Sequence, residues 1–365
     1  MPAIIIGMNS GKNNYWVLTL ITALAIFVRF YGLDLNSGFS PEQKASIILS
    51  IFIGIFSVIG LYFLVKELFD EKLAGIASFL IAVSSWHVFI SRLGTKDIFT
   101  SFALIFAVYF AWHGLKYGHT FDFFLAGLFG GAGFYAGRIY FAAPLLMIFL
   151  FLNYWDYVKK DFSLSKYEQT KTEVLGGFAL LMLTTLAVAL PVGFFVWQDP
   201  AFILSAGNSI FSDAKPLVSL WHNFSWVLDK IVLIKFGGVD ANVISWPVSI
   251  FFAIGFIKEL THWLKRKHGH LSVVHTLIFS WLFVMLIPSL LSTDEPSTLG
   301  LSTILPMVMI LVAKGIWWVI EKLNKWNHLT YPRQHKHWMG LDAGPFLALT
   351  ALLISIAILE ISKLI

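Results

Sequence analysis

Long apolar runs constrain this chain more than any other feature of its sequence. An α-helix needs about 20 apolar residues to cross the hydrocarbon core of a bilayer. About eleven runs approach that length, so the predicted fold class is all-α, a polytopic transmembrane bundle. The predicted spans cover 15–33, 45–65, 73–91, 98–115, 121–137, 139–157, 174–197, 245–264, 272–291, 299–320 and 345–363.

Composition supports a membrane protein. Hydrophobic residues make up 58% of the 365 residues and charged residues 13%, whereas soluble domains carry about 25% charged residues. A soluble enzyme, a disordered chain and a nucleic-acid-binding domain are therefore excluded. The absence of cysteine also excludes disulfides, thiolate nucleophiles and cysteine metal sites.

Basic residues predict the orientation. With a cytoplasmic N-terminus and alternating spans, short basic loops such as Lys265-Arg266-Lys267 fall in the cytoplasm, as the positive-inside rule requires. The chain is thus expected to be a multi-pass protein of the plasma or inner membrane, with its C-terminus outside. The first run begins near Tyr15 and is followed at once by others, so it is expected to be a retained helix.

The whole chain, 1–365, is predicted to be one integral-membrane domain. Its largest loop, 198–244, falls on the outer side. Within it, apolar residues recur at helical spacing over Leu217–Ile234. That pattern favours a helix lying on the membrane surface or over a cavity.

Ionisable residues gather at the predicted outer ends of the spans. Charges near the bilayer are costly, so each is a candidate for function. A carboxylate could accept a proton from an acceptor hydroxyl, and cations could hold a phosphate. Plainer explanations are snorkelling, solvation or mutual pairing of Arg92 with Asp97. The ionisable residues at these predicted span ends are Arg29, Asp34, Glu42, Lys44, Arg92, Lys96, Asp97, Arg138, Asp294 and Glu295.

Small residues in the fifth span predict close helix packing. Gly127 and Gly131, like Gly133 and Gly137, are four residues apart, which fits the small-xxx-small pattern of membrane helices. The histidines near two cytoplasmic loops have no metal-ligand spacing and are expected to be interfacial. Asn223-Phe224-Ser225 is a bare glycosylation sequon.

Taken in order, several segments resemble integral-membrane glycosyltransferases of the C-type fold, the group of the dolichyl-phosphate-mannose protein mannosyltransferases and aminoarabinose transferases. The resemblance covers most of the chain. It rests on Arg29–Leu33, on Phe56–Phe69, on Ser91-Arg92 followed by Asp97, on Tyr135, Arg138 and Pro144, on Gly238, Asp240, Asn242 and Pro247, and on Pro288–Ser292 with Pro296 and Pro306.

The resemblance implies transfer of a sugar from a polyprenyl-phosphate donor. The acceptor would be a glycan, lipid or protein on the outer face of the cell envelope, and membrane lipid would be the other partner. The expected base is Glu42, Asp34 or Asp97, in no order. Arg138 and Arg92, helped by Lys96 and Tyr135, would bind the donor phosphate. No tightly bound organic cofactor is implied; some such enzymes use a divalent metal ion, but the chain has no ligand motif for one.

Two departures from the family pattern bear on activity. The first outer loop, about 33–44, lacks the acidic pair that relatives carry; Glu42 could replace it, or the loop could be deleted, with Asp34 the nearest carboxylate. Where many relatives carry arginine in the late loop, this chain has Leu299-Gly300-Leu301. Two other hypotheses therefore stay open. One is a non-catalytic relative that binds lipid-linked glycan or a partner. The other is a transporter. The small number of buried charges in the inner half of the spans argues against it.

Overall fold

The computed structural model describes residues 15–34, 38–160, 171–199, 216–232, 245–265, 270–291, 298–330 and 340–364. Ten side chains inside these ranges are not described: those of Arg138, Lys159, Lys160, Lys171, Pro216, Ile231, Val232, His270, Thr298 and Leu299.

The described residues form α-helices and short 3₁₀ helices, with no strand among them. The α-helices are α1 (Tyr15–Phe30), α2 (Pro41–Leu68), α3 (Glu71–Val83), α4 (Ser85–Arg92), α5 (Asp97–Tyr117), α6 (Thr120–Ala132), α7 (Ala143–Lys160), α8 (Lys171–Gln198), α9 (Pro216–Val232), α10 (Trp246–Leu264), α11 (His270–Leu290), α12 (Leu305–Thr330) and α13 (Ala343–Ile361). The 3₁₀ helices are η1 (Gly133–Tyr135), η2 (Arg138–Ala142) and η3 (Thr298–Thr303).

The helices follow the predicted spans. Every predicted run overlaps at least one of them, so the all-α bundle is confirmed. Within the described ranges, 6 helices are long and apolar enough to cross a membrane, and α3 with α4 raises this to 7 if that pair, bent by 54°, is one span. The number of about eleven crossings stays a prediction.

Local signals explain where some helices begin. Ser40 caps α2, because its hydroxyl accepts from the Gln43 backbone N–H while the Gln43 side chain accepts from the Ser40 backbone N–H. This reciprocal pair satisfies donors that a helix start leaves free, and Pro41 suits the first helical position. Asp70 caps α3 through the Leu73 N–H at 2.8 Å. Both caps are local: Ser40 fixes the start of α2, and Asp70 fixes the turn between α2 and α3.

Glycines allow two close helix crossings. A Cβ on Gly127 would lie 2.6 Å from the Leu181 carbonyl oxygen, and one on Gly131 would lie 2.5 Å from Val188 Cβ. The predicted small-residue packing at these two positions is therefore confirmed, with α8 as the partner of α6. At a second crossing, Gly255 of α10 faces the backbone of α12.

Helix α9 confirms the helix predicted within the largest loop. Its Asn223 is 3% exposed, and its side-chain amide donates to the Leu290 carbonyl oxygen at 3.0 Å. The amide nitrogen of the sequon is therefore turned into the protein and used in packing. The opposite face of α9 exposes Leu217 and Trp221, which suits the predicted position at a membrane surface.

Candidate functional site

Several helix ends meet at one end of the bundle, named here the Arg92 end: the ends of α1 and α4 and the starts of α2, α5 and η3. The Ser46 hydroxyl donates to the Gly94 carbonyl oxygen at 2.6 Å, which ties α2 to the turn before α5. The Thr100 and Ser302 hydroxyl oxygens lie 3.3 Å apart, which joins α5 to η3. For the loops that are described, the predicted convergence is observed.

Arg92 closes the end of α1. Its Nε donates to the Arg29 carbonyl oxygen at 3.2 Å, and its Nη2 donates to the carbonyl oxygens of Val28 at 2.5 Å and Tyr31 at 2.6 Å. The last carbonyls of a helix lack intrahelical donors, and a cation there offsets the negative end of the helix dipole. Among the described contacts, Arg92 thus holds the exit of α1 rather than pairing with Asp97.

The Arg29 side chain extends in the opposite direction, from α1 to the break between α3 and α4. It is fully buried; its Nη1 donates to the Ala82 carbonyl oxygen at 3.2 Å and its Nη2 to His87 Nδ1 at 2.6 Å. Because guanidinium can only donate, His87 accepts through Nδ1 and carries its proton on Nε2. Gly54 leaves space for the Arg29 side chain, because a Cβ at position 54 would lie 3.1 Å from Arg29 Nε. Arg29 therefore does not snorkel. Arg29 of α1 binds His87 of α4, and Arg92 of α4 binds the last carbonyls of α1; this pair of arginines is named here the clasp.

The three candidate bases lie on the segments that form the Arg92 end. Asp34 follows α1 and is exposed, Glu42 is exposed in the first turn of α2, and Asp97 is half-buried as the first residue of α5. Acidic side chains are favoured at helix starts whatever their function. Lys96 beside Asp97 is exposed. Asp34, Glu42, Asp97 and Lys96 thus stay predictions as site residues.

The predicted phosphate-binding residues of the next loop are only partly described. The Tyr135 hydroxyl donates to the Val188 carbonyl oxygen of α8 at 3.0 Å, while its side chain stays exposed. Arg138 begins η2, but its side chain lies outside the described residues, as do Asp294 and Glu295. Gly238, Asp240, Asn242 and Pro296 of the family resemblance lie outside them too.

Gly300 is closely packed. A Cβ there would lie 2.5 Å from Ile139 Cδ1 and 3.3 Å from Ser289 Oγ. The departure from relatives at this position therefore has a structural consequence, because η2 and α11 occupy the space that a side chain would need. A larger side chain at this place would require the Ile139 side chain to shift.

Glu360, near the end of α13 and next to Ile361, is a buried carboxylate that no sequence pattern had indicated. It is 3% exposed and accepts from the Ser85 N–H at 2.9 Å, the Ser85 hydroxyl at 2.6 Å and the Ser245 N–H at 3.2 Å. Ser85 begins α4 and Ser245 precedes α10, so one carboxylate caps two helices. The available signal was a single acid near the end of an apolar span.

Replacing Glu360 with alanine is expected to lower the free energy of unfolding by about 2–3 kcal/mol, because two N–H groups and a hydroxyl lose a charged acceptor. Thermal unfolding in detergent measures the change. Lys363→Ala is the control; its Nζ lies 3.4 Å from Glu360 Oε1 and is partly exposed, so an effect below about 0.5 kcal/mol is expected. Equal shifts for the two variants would contradict the capping role.

No group of three or more histidine, aspartate or glutamate side chains suited to hold a metal ion occurs in the described part of the chain. Asp34, Glu42 and Asp97 are single carboxylates on different segments of the chain. A cation shared with the donor phosphate would need further ligands from the substrate, because Mg²⁺ sites combine few carboxylates with substrate phosphates.

Comparisons with known proteins agree with this architecture. Residues 37–167 match the family described as dolichyl-phosphate-mannose-protein mannosyltransferase. The fold is similar to that of the Archaeoglobus fulgidus oligosaccharyltransferase tethered with an acceptor peptide containing the NVT sequon, with a TM-score of 0.56 and 15% identity over 96% of this chain and 55% of that chain. The apo form of that protein gives a TM-score of 0.56 and 14% identity, over 96% of this chain and 56% of that chain. Its complex with Zn and sulfate gives a TM-score of 0.50 and 16% identity, over 95% of this chain and 44% of that chain.

At these identities the structural likeness shows the fold alone, and this chain spans about half the length of the oligosaccharyltransferase. No curated protein sequence matches the chain. The fold and the family match confirm the predicted resemblance to C-type integral-membrane glycosyltransferases. The helices suited to crossing a membrane support a multi-pass membrane protein.

Proposed function

We propose that the protein transfers a sugar from a polyprenyl-phosphate donor to a glycan, lipid or protein acceptor on the outer face of the membrane. The observation that carries this proposal is the family match over 37–167. That segment contains Glu42, Arg92, Lys96 and Asp97, which contribute to the Arg92 end, together with Tyr135 and Arg138.

The chemistry follows from the residue types. A carboxylate of Glu42, Asp34 or Asp97 accepts the proton of the acceptor hydroxyl. The hydroxyl oxygen attacks the anomeric carbon as the bond to the phosphate oxygen breaks, so configuration is inverted. The negative charge of the leaving lipid phosphate is stabilised by Arg138 and Arg92, helped by Lys96 and Tyr135.

Transfer by the purified protein tests the proposal. A radiolabelled polyprenyl-phosphate sugar is incubated with a cell-envelope acceptor fraction, and sugar release to water is counted separately. Loss of a general base typically costs a factor of about 10² or more. Sugar transfer is therefore expected to fall by that factor in one of three variants: Glu42→Gln, Asp34→Asn or Asp97→Asn. In Arg138→Ala, transfer is expected to fall at least about tenfold.

Glu321→Gln provides the control, since Glu321 pairs with Lys325 on the exposed face of α12. Full transfer by all three carboxyl variants would remove these residues from catalysis. Full transfer by Arg138→Ala would remove Arg138 from the donor site.

A second candidate function is that of a non-catalytic relative that binds lipid-linked glycan or a partner enzyme. The short first loop without an acidic pair and the close packing at Gly300 favour it. It predicts that the purified protein retains a polyprenyl-phosphate lipid but transfers no sugar with any acceptor fraction.

A further inference from the structure

A cleft of about 420 Å³ opens beside the clasp, between the end of α1 and the end of α13. Among the described residues that line it, Arg92 alone is charged. The other residues are apolar, aromatic or glycine: Phe27, Val28, Tyr31, Gly32, Ile361 and Leu364. The cleft is therefore an apolar surface with one cation.

The charge of Arg92 is held in place without being neutralised. Its three hydrogen bonds use Nε and Nη2 and go to backbone carbonyls, which carry only partial negative charge. No ion pair joins Arg92 to an acidic side chain in the described part of the chain. Nη1 keeps its two N–H groups, and a fixed guanidinium can donate from them to a phosphate oxygen in a charge-assisted hydrogen bond.

The apolar walls of the cleft continue along two helices. On α1, Leu20 and Phe27 are 60% and 57% exposed, and Tyr31 follows one turn later with its ring centroid 5.3 Å from that of Phe27. On α13, the exposed Ile358 precedes Ile361 at helical spacing. Residues three, four or seven apart share one helix face. Two apolar stripes therefore end at the cation.

We propose that this cleft binds the phosphate headgroup of an anionic membrane lipid. Arg92 binds the phosphate, and the lipid chains lie along the stripes on α1 and α13. The proposal shares Arg92 with the proposed function and rests on that function only where the bound lipid is the polyprenyl-phosphate donor. As a binding site it stands without any transfer activity.

Native mass spectrometry of the full-length protein in detergent tests the site by titration with three lipids. Undecaprenyl phosphate and dioleoyl-phosphatidylglycerol are the anionic probes, and dioleoyl-phosphatidylcholine is the zwitterionic one. Charge-assisted hydrogen bonds predict binding of an anionic probe about tenfold or more tighter than of the zwitterionic lipid. Arg92→Gln is expected to abolish that preference, and Arg92→Lys to restore part of it.

Because Arg92 also caps α1, two variants probe the walls without touching it. Leu364→Trp fills the cleft, and Phe27→Ala removes a wall; both should weaken binding of the anionic probe several-fold. Phe30→Ala is the matched control, because Phe30 is an exposed phenylalanine of α1 that does not line the cleft. It should bind like the unchanged protein.

A preference for undecaprenyl phosphate over phosphatidylglycerol would identify the cleft as the binding site of the donor. Equal binding of these two lipids would identify it as a general site for anionic lipid. Both results support the proposal. Equal binding of all three lipids, or wild-type binding by both Leu364→Trp and Phe27→Ala, would overturn it. Lipid binding without sugar transfer would count against the proposed function alone.

Discussion

Replacing Lys314 with methionine is expected to lower the free energy of unfolding by about 3–5 kcal/mol, because it leaves a buried carboxylate without its partner. Glu259 of α10 is 0% exposed; one of its oxygens pairs with Lys314 Nζ of α12, and the other lies 2.5 Å from His275 Nδ1 of α11. Lys314 Nζ also lies 4.2 Å from the ring centroid of Phe69. The pair therefore links three helices to the turn after α2.

A double-variant cycle separates the ion pair from packing. Glu259→Gln should cost about as much as Lys314→Met, whereas the two changes together should recover most of the loss, since neither charge is then left unpaired. Unfolding by a graded denaturing detergent gives the free energies. The exposed pair of Glu321 and Lys325, 3.3 Å apart, is the control. Glu321→Gln should cost only about a few tenths of a kcal/mol, and a similar small cost for Lys314→Met would exclude a buried ion pair.

Alanine at Gly255 or Gly315 is expected to destabilise the protein by about 1–3 kcal/mol or more, as overpacking of a filled interior does. The Cβ of residue 255 would overlap the Leu311 carbonyl oxygen, and that of residue 315 would overlap the Phe251 carbonyl oxygen. Backbone atoms cannot turn away as a flexible side chain can, so α10 and α12 would have to move apart.

Gly193→Ala in α8 is the matched control. Nothing lies within 4 Å of the Cβ that it would add, and alanine is favoured over glycine in a helix by about 0.5–1 kcal/mol. Thermal unfolding should therefore shift upward or stay unchanged for Gly193→Ala and fall for Gly255→Ala and Gly315→Ala. Equal shifts at the three positions would show that the crossing is not tight.

The Gly255 crossing and the Glu259 ion pair are parts of one arrangement. Glu259 lies one turn after Gly255 on α10, and Lys314 directly precedes Gly315 on α12. Close approach of the two backbones lets the two side chains meet. Gly255→Ala and Lys314→Met are accordingly expected to be non-additive, because residues that share a contact couple.

This cluster also changes one argument made from the sequence. Few buried charges were expected in the inner half of the spans, and that expectation counted against a transporter. The structure places Glu259, Lys314 and His275 together within the spans, in the half that the predicted orientation places inside, with only slight exposure. The scarcity of buried charge therefore no longer separates a transferase from a carrier, and the family match over 37–167 becomes the stronger discriminating observation.

The candidate site was predicted unevenly. The clustering of polar residues at one end of the bundle followed from their regular placement at span ends. The role of Arg92 as a cap for α1 did not, because it depends on where the guanidinium points relative to carbonyls about 60 residues earlier in the chain. The contacts of Glu360 and His87 were not predicted for the same reason, because their partners are also far away in the chain.

The sequence by itself determined the all-α class, the positions of the helices and the caps of α2 and α3, because apolar length, periodicity and capping act over a few neighbouring residues. Only the tertiary structure decided which charge meets which partner. Arg29 with His87, Glu360 with Ser85 and Glu259 with Lys314 are far apart in the chain. Their meeting depends on the crossing and rotation of helices, which side-chain packing sets and local sequence does not encode.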